Sequence, residues 1–168
     1  MAGLPGTGKT TLSQMLSKHL KITHLRIDTV EQALRDLCSI KVAGEGYRLS
    51  YRIVSDNLRL GNSVIADSCN PINISRDEWE EVATKSGAKH INIEIICSDK
   101  KEHQRRIETR TTTIPNFQLP TWEKVLSREY DEWKRSRVVI DTAGKNKNDS
   151  FNELLCKINK YQNQCLIE

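Results

Sequence analysis

The sequence is poor in aromatic residues, at 5% of the chain, and holds no uninterrupted apolar run near the ~20 residues that cross a bilayer. Its amino end carries no charged-then-apolar leader, and it contains no Cys-x-x-Cys pair and no Cys/His cluster. These absences set bounds. Nothing addresses the chain to a membrane, and a cytoplasmic location is expected. The five cysteines, Cys38, Cys69, Cys97, Cys156 and Cys165, are odd in number and widely spaced, which argues against a disulfide framework or a structural zinc and fits a reducing compartment. Few aromatics and eight glycines exclude fibrous and low-complexity classes. What is present is a chain of 168 residues, 37% apolar and 29% charged, enough for one domain spanning 1–168 with a lid but not for a second full domain. The net charge of +4 suits anionic ligands such as nucleotides without demanding a long nucleic acid.

Residues Gly3-Leu4-Pro5-Gly6-Thr7-Gly8-Lys9-Thr10 fit the Walker A pattern at every specified position, and from Thr11 an amphipathic run through Leu20 reads as a helix. Glycines let the backbone curl into a nest of inward N–H groups, and a helix starting near Lys9 adds its positive dipole end. A polyphosphate fits such a nest. Lys9 is placed to reach β- and γ-phosphates, and the Thr10 hydroxyl to ligate a Mg²⁺ that keeps most of its waters. ATP is the expected nucleotide, with GTP as the other candidate. A loop of this kind follows a buried strand, yet only Met1 and Ala2 precede Gly3. The expectation is a first strand truncated by a start upstream of Met1; the alternative is another segment filling the middle of the sheet.

Strand and helix patterns then alternate. Ile22 to Asp28 reads as a strand and Thr29 to Leu37 as a helix; Ala43-Gly44-Glu45-Gly46 is a hinge before a helix from Tyr47 to Leu60. Val64-Ile65-Ala66 is a strand ending in Asp67, with a helix from about Ser75 to Ser86 and a strand from Ile91 to Cys97. A basic helical stretch covers 100–110, and the Thr-rich segment from Thr111 to Pro120 has prolines that block regular structure before a helix resumes near Thr121. Residues 100–130 are expected to form the lid. Val138 to Asp141 is the last strand, and 150–162 a closing helix with Phe151, Leu154, Leu155 and Ile158 inward. This alternation implies an α/β fold: a parallel sheet flanked by helices, with its site at the strands' C-terminal ends.

Nearly the whole chain resembles the small P-loop kinases, especially the group of zeta toxins, polynucleotide kinases and bacterial "AAA family ATPase" sequences. The resemblance rests on Gly3 to Thr11, Arg26-Ile27-Asp28, Val64 to Ser68 with Asn70 and Arg76, the arginines Arg105, Arg106 and Arg110, and Val139-Ile140-Asp141-Thr142. It implies a P-loop NTPase fold and transfer of the γ-phosphoryl of ATP to a hydroxyl, with Asp28 binding the acceptor and taking its proton. Asp28 also suits a cap on the helix that follows. Asp67 resembles a Walker B aspartate holding a magnesium-bound water, or else is a strand-end turn residue. Asn70 and Arg76 are candidates for acceptor contact, Arg76 equally for a solvated helix face.

Arg106 and Arg110 are four apart on one helix face and, by the resemblance, cover the transferring phosphate; Glu102 and Glu108 are their alternative partners. Thr142 falls where related kinases place the loop against the base. Arg48, Arg52 and Arg59 line one side of a helix as candidate phosphate ligands or as a solvated face, and the four histidines show no metal spacing. The expected reaction is phosphoryl transfer to a hydroxyl of a small molecule, nucleotide or nucleotide-sugar. A 5′-hydroxyl polynucleotide kinase is the second expectation, disfavoured because Glu31 stands where polynucleotide kinases have an arginine. A nucleotide-dependent switch without an acceptor is the third.

Overall fold

The computed structural model describes residues 1–164. Cys165 therefore lies outside the described residues. In chain order the elements are α1 (Lys9–Leu20), β1 (Thr23–Arg26), α2 (Ile27–Cys38), α3 (Glu45–Arg59), β2 (Val64–Asp67), α4 (Asn73–Lys85), β3 (Ile93–Ile96), α5 (Lys100–Thr109), α6 (Trp122–Leu126), β4 (Val138–Asp141) and α7 (Lys147–Gln164). Strands β1 and β2 pair in parallel with Thr23 opposite Val64, and β3 and β4 with Ile93 opposite Val138.

Between these pairs run Met1 to Gly3. The Met1 nitrogen donates to the Ala66 carbonyl at 2.9 Å, and Ser68 N–H donates to the Met1 carbonyl. On the other side Ala2 N–H donates to Ile93 at 2.7 Å and Ile95 N–H to Ala2 at 2.9 Å, so Ala2 bridges in parallel to Glu94. The central position is thus held by the residues just before the glycine loop. The alternative expectation, a different segment in that position, is corrected: no other described segment lies there, because the loop needs the strand position directly before it.

Alternation along the strands sorts side chains onto two faces. Ile65, Ile93, Ile95, Val138 and Ile140 meet Leu12 and Leu16 of α1 and Leu154 and Ile158 of α7 in the main core. Leu25 and Val64 point the other way and pack with Ile27, Val54, Tyr47 and Trp79 from α2, α3 and α4. Each fully buried Leu or Ile contributes about 1.5–3 kcal/mol. Parallel partners share a face, so His24 and Arg26 of β1 project on the same side as Ile65 and Asp67 of β2, toward α1.

The strands are shorter than the sequence pattern suggests at the second position. Strand β1 stops at Arg26 and α2 starts at Ile27, so Asp28 lies in the first turn of a helix rather than at a strand end. A carboxylate is stable there against the positive end of the helix dipole.

Candidate functional site

The glycine loop curls over the end of the sheet and is braced from outside. Gly3, at φ 134°, passes so close to the sheet that a Cβ there would lie 2.1 Å from the Ile95 carbonyl oxygen. Only glycine fits. Thr7 is 3% exposed, and its hydroxyl donates to the Leu4 carbonyl at 2.9 Å, closing the loop on itself rather than facing a ligand. The Thr142 hydroxyl donates to the Thr7 carbonyl at 2.9 Å, and His103 Nε2 lies 2.8 Å from the Pro5 carbonyl with its ring edge-on to Trp122. Gly8 enters α1 at φ 97° with no side-chain cap, whereas α5 is capped by Asp99, which accepts from Lys101 and Glu102. The first N–H groups of α1 are therefore left for something other than a side chain.

A cleft of about 1040 Å³ opens at this point, lined by Pro5, Gly6, Gly8, Lys9, Thr10 and Thr11 of the loop and helix. Asp28, Asp67, Arg106, Arg110 and Thr142 line it too, so five of the residues predicted from separate segments converge on one space. Gly3 and Thr7 act from behind, through loop geometry. The segment from Thr109 to Thr113 and from Asn116 to Pro120 also walls the cleft, and Asn116 reaches Asp36 of α2 at 3.4 Å.

Asp67 is 2% exposed. Burial pushes its carboxyl up, but the hydrogen bond from His24, then Lys9 and Thr10, outweigh that and hold it below the usual carboxylate range. It is a buried anion beside the Lys9 ammonium and the Thr10 hydroxyl. His24 Nε2 lies 3.1 Å from Asp67 Oδ2. That neighbour was not singled out from the sequence. The signal was there in the two-residue period of β1, which sets His24 and Arg26 on one face.

Asp28 is half exposed, with Arg26 at 3.7 Å. Arg110 closes α5 beside the same pair: burial lowers its pKa, Asp28 counters, and Arg26 adds to the lowering. Glu31, in the following turn, takes the Arg35 guanidinium at 3.2 Å. The two α5 arginines part company. Arg106 turns to the glycine-loop side, donating to the Thr142 hydroxyl at 2.7 Å, to the Thr142 carbonyl at 2.9 Å and to Glu102 at 2.7 Å. The Glu102 pair is formed by a side chain that also lines the cleft.

Two expectations are corrected by geometry. Arg76 is 1% exposed, neither on a solvated face nor in the cleft lining. Its guanidinium donates to the carbonyls of Asn70, Pro71 and Asp131 at 3.0 Å and lies 4.1 Å from the Trp133 ring centroid. Every edge of the group is spent on clamping two loops. Asn70, at φ 49°, is a buried left-handed turn residue whose carbonyl that clamp holds; it too is absent from the lining. Arg48, Arg52 and Arg59 lie exposed on α3, outside the cleft. The cleft's further cations are instead Arg26, Arg35, Lys124, Arg128, Lys145 and Lys147.

A parallel sheet with helices on both faces, and a Gly-Lys-Thr loop rising from its centre into α1, defines a P-loop NTPase fold. The chain belongs to the AAA domain family, whose model matches residues 1–129. Its structure is similar to a gluconokinase from Sinorhizobium meliloti 1021 at TM-score 0.71 and 14% identity, covering 99% of this chain and 93% of that one. It is likewise similar to the Mycobacterium tuberculosis APS kinase CysC in complex with AMPPNP and APS, at TM-score 0.65 and 15% identity over 94% of each chain. Chaetomium thermophilum Kti12 in complex with ADP-AlF3 matches at TM-score 0.65 and 19% identity, over 92% of this chain and 95% of that one. At these identities the likeness is one of fold.

Proposed function

We propose that the protein is a cytoplasmic, ATP-dependent phosphotransferase that moves the γ-phosphoryl group to a hydroxyl of a small molecule, nucleotide or nucleotide-sugar. The carrying observation is that one cleft holds the uncapped start of α1 with Lys9, the buried anion Asp67 beside Thr10, and the accessible carboxylate of Asp28 with Arg110. In this reading Lys9 and the loop amides hold the phosphate tail. Asp28 orients the acceptor and takes its hydroxyl proton as that oxygen bonds to the γ-phosphorus; the bond to the bridging oxygen breaks and ADP leaves. Arg110 offsets charge on the acceptor side of the transfer. Arg106, fixed by Thr142 and Glu102, borders the nucleotide.

The Thr10 hydroxyl and the ionised Asp67 carboxylate are hard oxygen donors that suit Mg²⁺, which binds through few protein ligands and retains waters. When bound, the ion would supply positive charge to the β- and γ-phosphate oxygens. The gluconokinase and the APS kinase with bound AMPPNP, as similar folds, support a small hydroxyl acceptor. The finer resemblance to zeta toxins and polynucleotide kinases keeps an oligonucleotide as the second acceptor class. Glu31, paired with Arg35 at 3.2 Å, stands where that resemblance would have an arginine, which disfavours the oligonucleotide.

The test is transfer of label from γ-labelled ATP to a panel of hydroxyl metabolites and a 5′-hydroxyl oligonucleotide. Label is expected on a small acceptor, with Asp28→Asn slowing transfer roughly 10²–10⁴-fold while calorimetric affinity for Mg·AMPPNP persists. Release of label only to water, at a rate Asp28→Asn leaves unaltered, overturns the reading.

A further inference from the structure

The acceptor side of the cleft carries more positive charge than phosphoryl transfer requires. Four guanidinium groups line the cleft near its two carboxylates: Arg26 and Arg110 act on Asp28, and Arg35 and Arg128 on Glu31. Arg35 is committed to Glu31 at 3.2 Å. Arg26 meets Asp28 only at 3.7 Å, and among the described residues neither Arg110 nor Arg128 forms an ion pair. Arg26 and Arg110 lie close enough for each to oppose the other's charge, and neighbouring like charges are costly. The arrangement is accounted for by an anion that these forks share.

We propose, on the footing of the kinase reading above, that the acceptor is a small phosphate monoester whose phosphate is bound by Arg26, Arg110 and Arg128 beside Asp28, with its free hydroxyl presented to that carboxylate. The type of anion follows from the shape of the donors. A carboxylate is planar and is satisfied by one guanidinium fork, whereas the three terminal oxygens of a phosphate monoester accept from several forks at once. The charge agrees: four guanidinium groups less two carboxylates leave an excess of two, matching a phosphate dianion. The size agrees as well. A cleft of about 1040 Å³ holds a nucleoside triphosphate and one metabolite-sized partner.

The probe is inorganic phosphate, titrated by calorimetry into the full chain already saturated with Mg·AMPPNP, so that the glycine loop is filled. Saturable binding of one phosphate is expected, with acetate binding far more weakly. Arg128 is exposed, so Arg128→Gln leaves the fold intact; it is expected to weaken phosphate roughly tenfold, and Arg26→Gln similarly. Absence of a saturable phosphate site on the loaded protein, acetate binding as tight as phosphate, or phosphate affinity unchanged from the parent in both variants overturns the inference while the kinase reading stands. Failure to take up Mg·AMPPNP at all overturns the reading of the site, and this inference with it.

Discussion

Replacing Arg76 distinguishes a buried clamp from a substrate ligand. The guanidinium donates to main-chain carbonyls of Asn70, Pro71 and Asp131 at 3.0 Å and to Glu132 at 3.4 Å, and it is stacked on Trp133 and near Tyr130. In Arg76→Ala the carbonyls of Asn70, Asp131 and Glu132 lose this donor in a buried place, Pro71 keeps only the Asp131 N–H, and the two aromatic rings lose their cation. Hydrogen bonds to a charged group contribute about 1.5–3 kcal/mol each, but they are not additive, and the variant also escapes the desolvation of the buried charge. The net cost is therefore set at about 3–5 kcal/mol, the range for breaking a buried charged network by removing one partner. For a domain of this length that corresponds to a fall in Tm of roughly 10 °C. Arg76→Lys, a point charge without a planar fork, recovers only part of it. Urea unfolding at neutral pH measures the loss, and acceptor KM measured below the new transition separates folding from recognition. An Arg76→Ala protein within 1 kcal/mol of the parent, with a raised acceptor KM, would refute the clamp and restore the substrate role.

Acid should test Asp67. Its carboxyl is held below the ordinary value of 3.8 despite burial, so its ionised form contributes stability above that pH, which disappears as pH falls through the folded-state pKa. In urea titrations from neutral to acid pH, Asp67→Asn is expected to flatten the acid limb; an unaltered slope argues against a buried anion there. The loop glycines should rank by what an added methyl meets. Gly3→Ala drives a Cβ to 2.1 Å from a main-chain oxygen, whereas Gly6→Ala meets the flexible tip of Ile107 at 2.6 Å. Thermal unfolding should show Gly3→Ala as the more damaging, with Ile107→Ala partly rescuing Gly6→Ala alone; equal losses, or rescue of both, would contradict the packing.

Much of the site was legible because it is local. The Gly-Lys-Thr loop, the helix from Lys9 and the apolar strand before Asp67 are set by short-range spacing, and they appear where that spacing puts them. Asp28 lines the cleft, but its place in a helix was not legible: a short polar stretch after a strand does not say where the chain turns. The burial of Arg76 and Asn70 outside the cleft lining has a longer-range cause. Nothing near Arg76 in sequence announces that Asp131 and Trp133, more than fifty residues on, will enclose it.

By itself the sequence determined the glycine loop and the alternation of strand and helix, because glycine conformational freedom, hydrophobic period and helix starts act over a few neighbouring residues. Tertiary structure alone decided which charged side chains face the cleft. The parity of β1 against β2 brings His24 to Asp67, and the return of the chain after α6 brings Arg128 into the cleft opposite α2. A charge is recruited or buried according to what packs around it, and that is fixed only once distant segments meet.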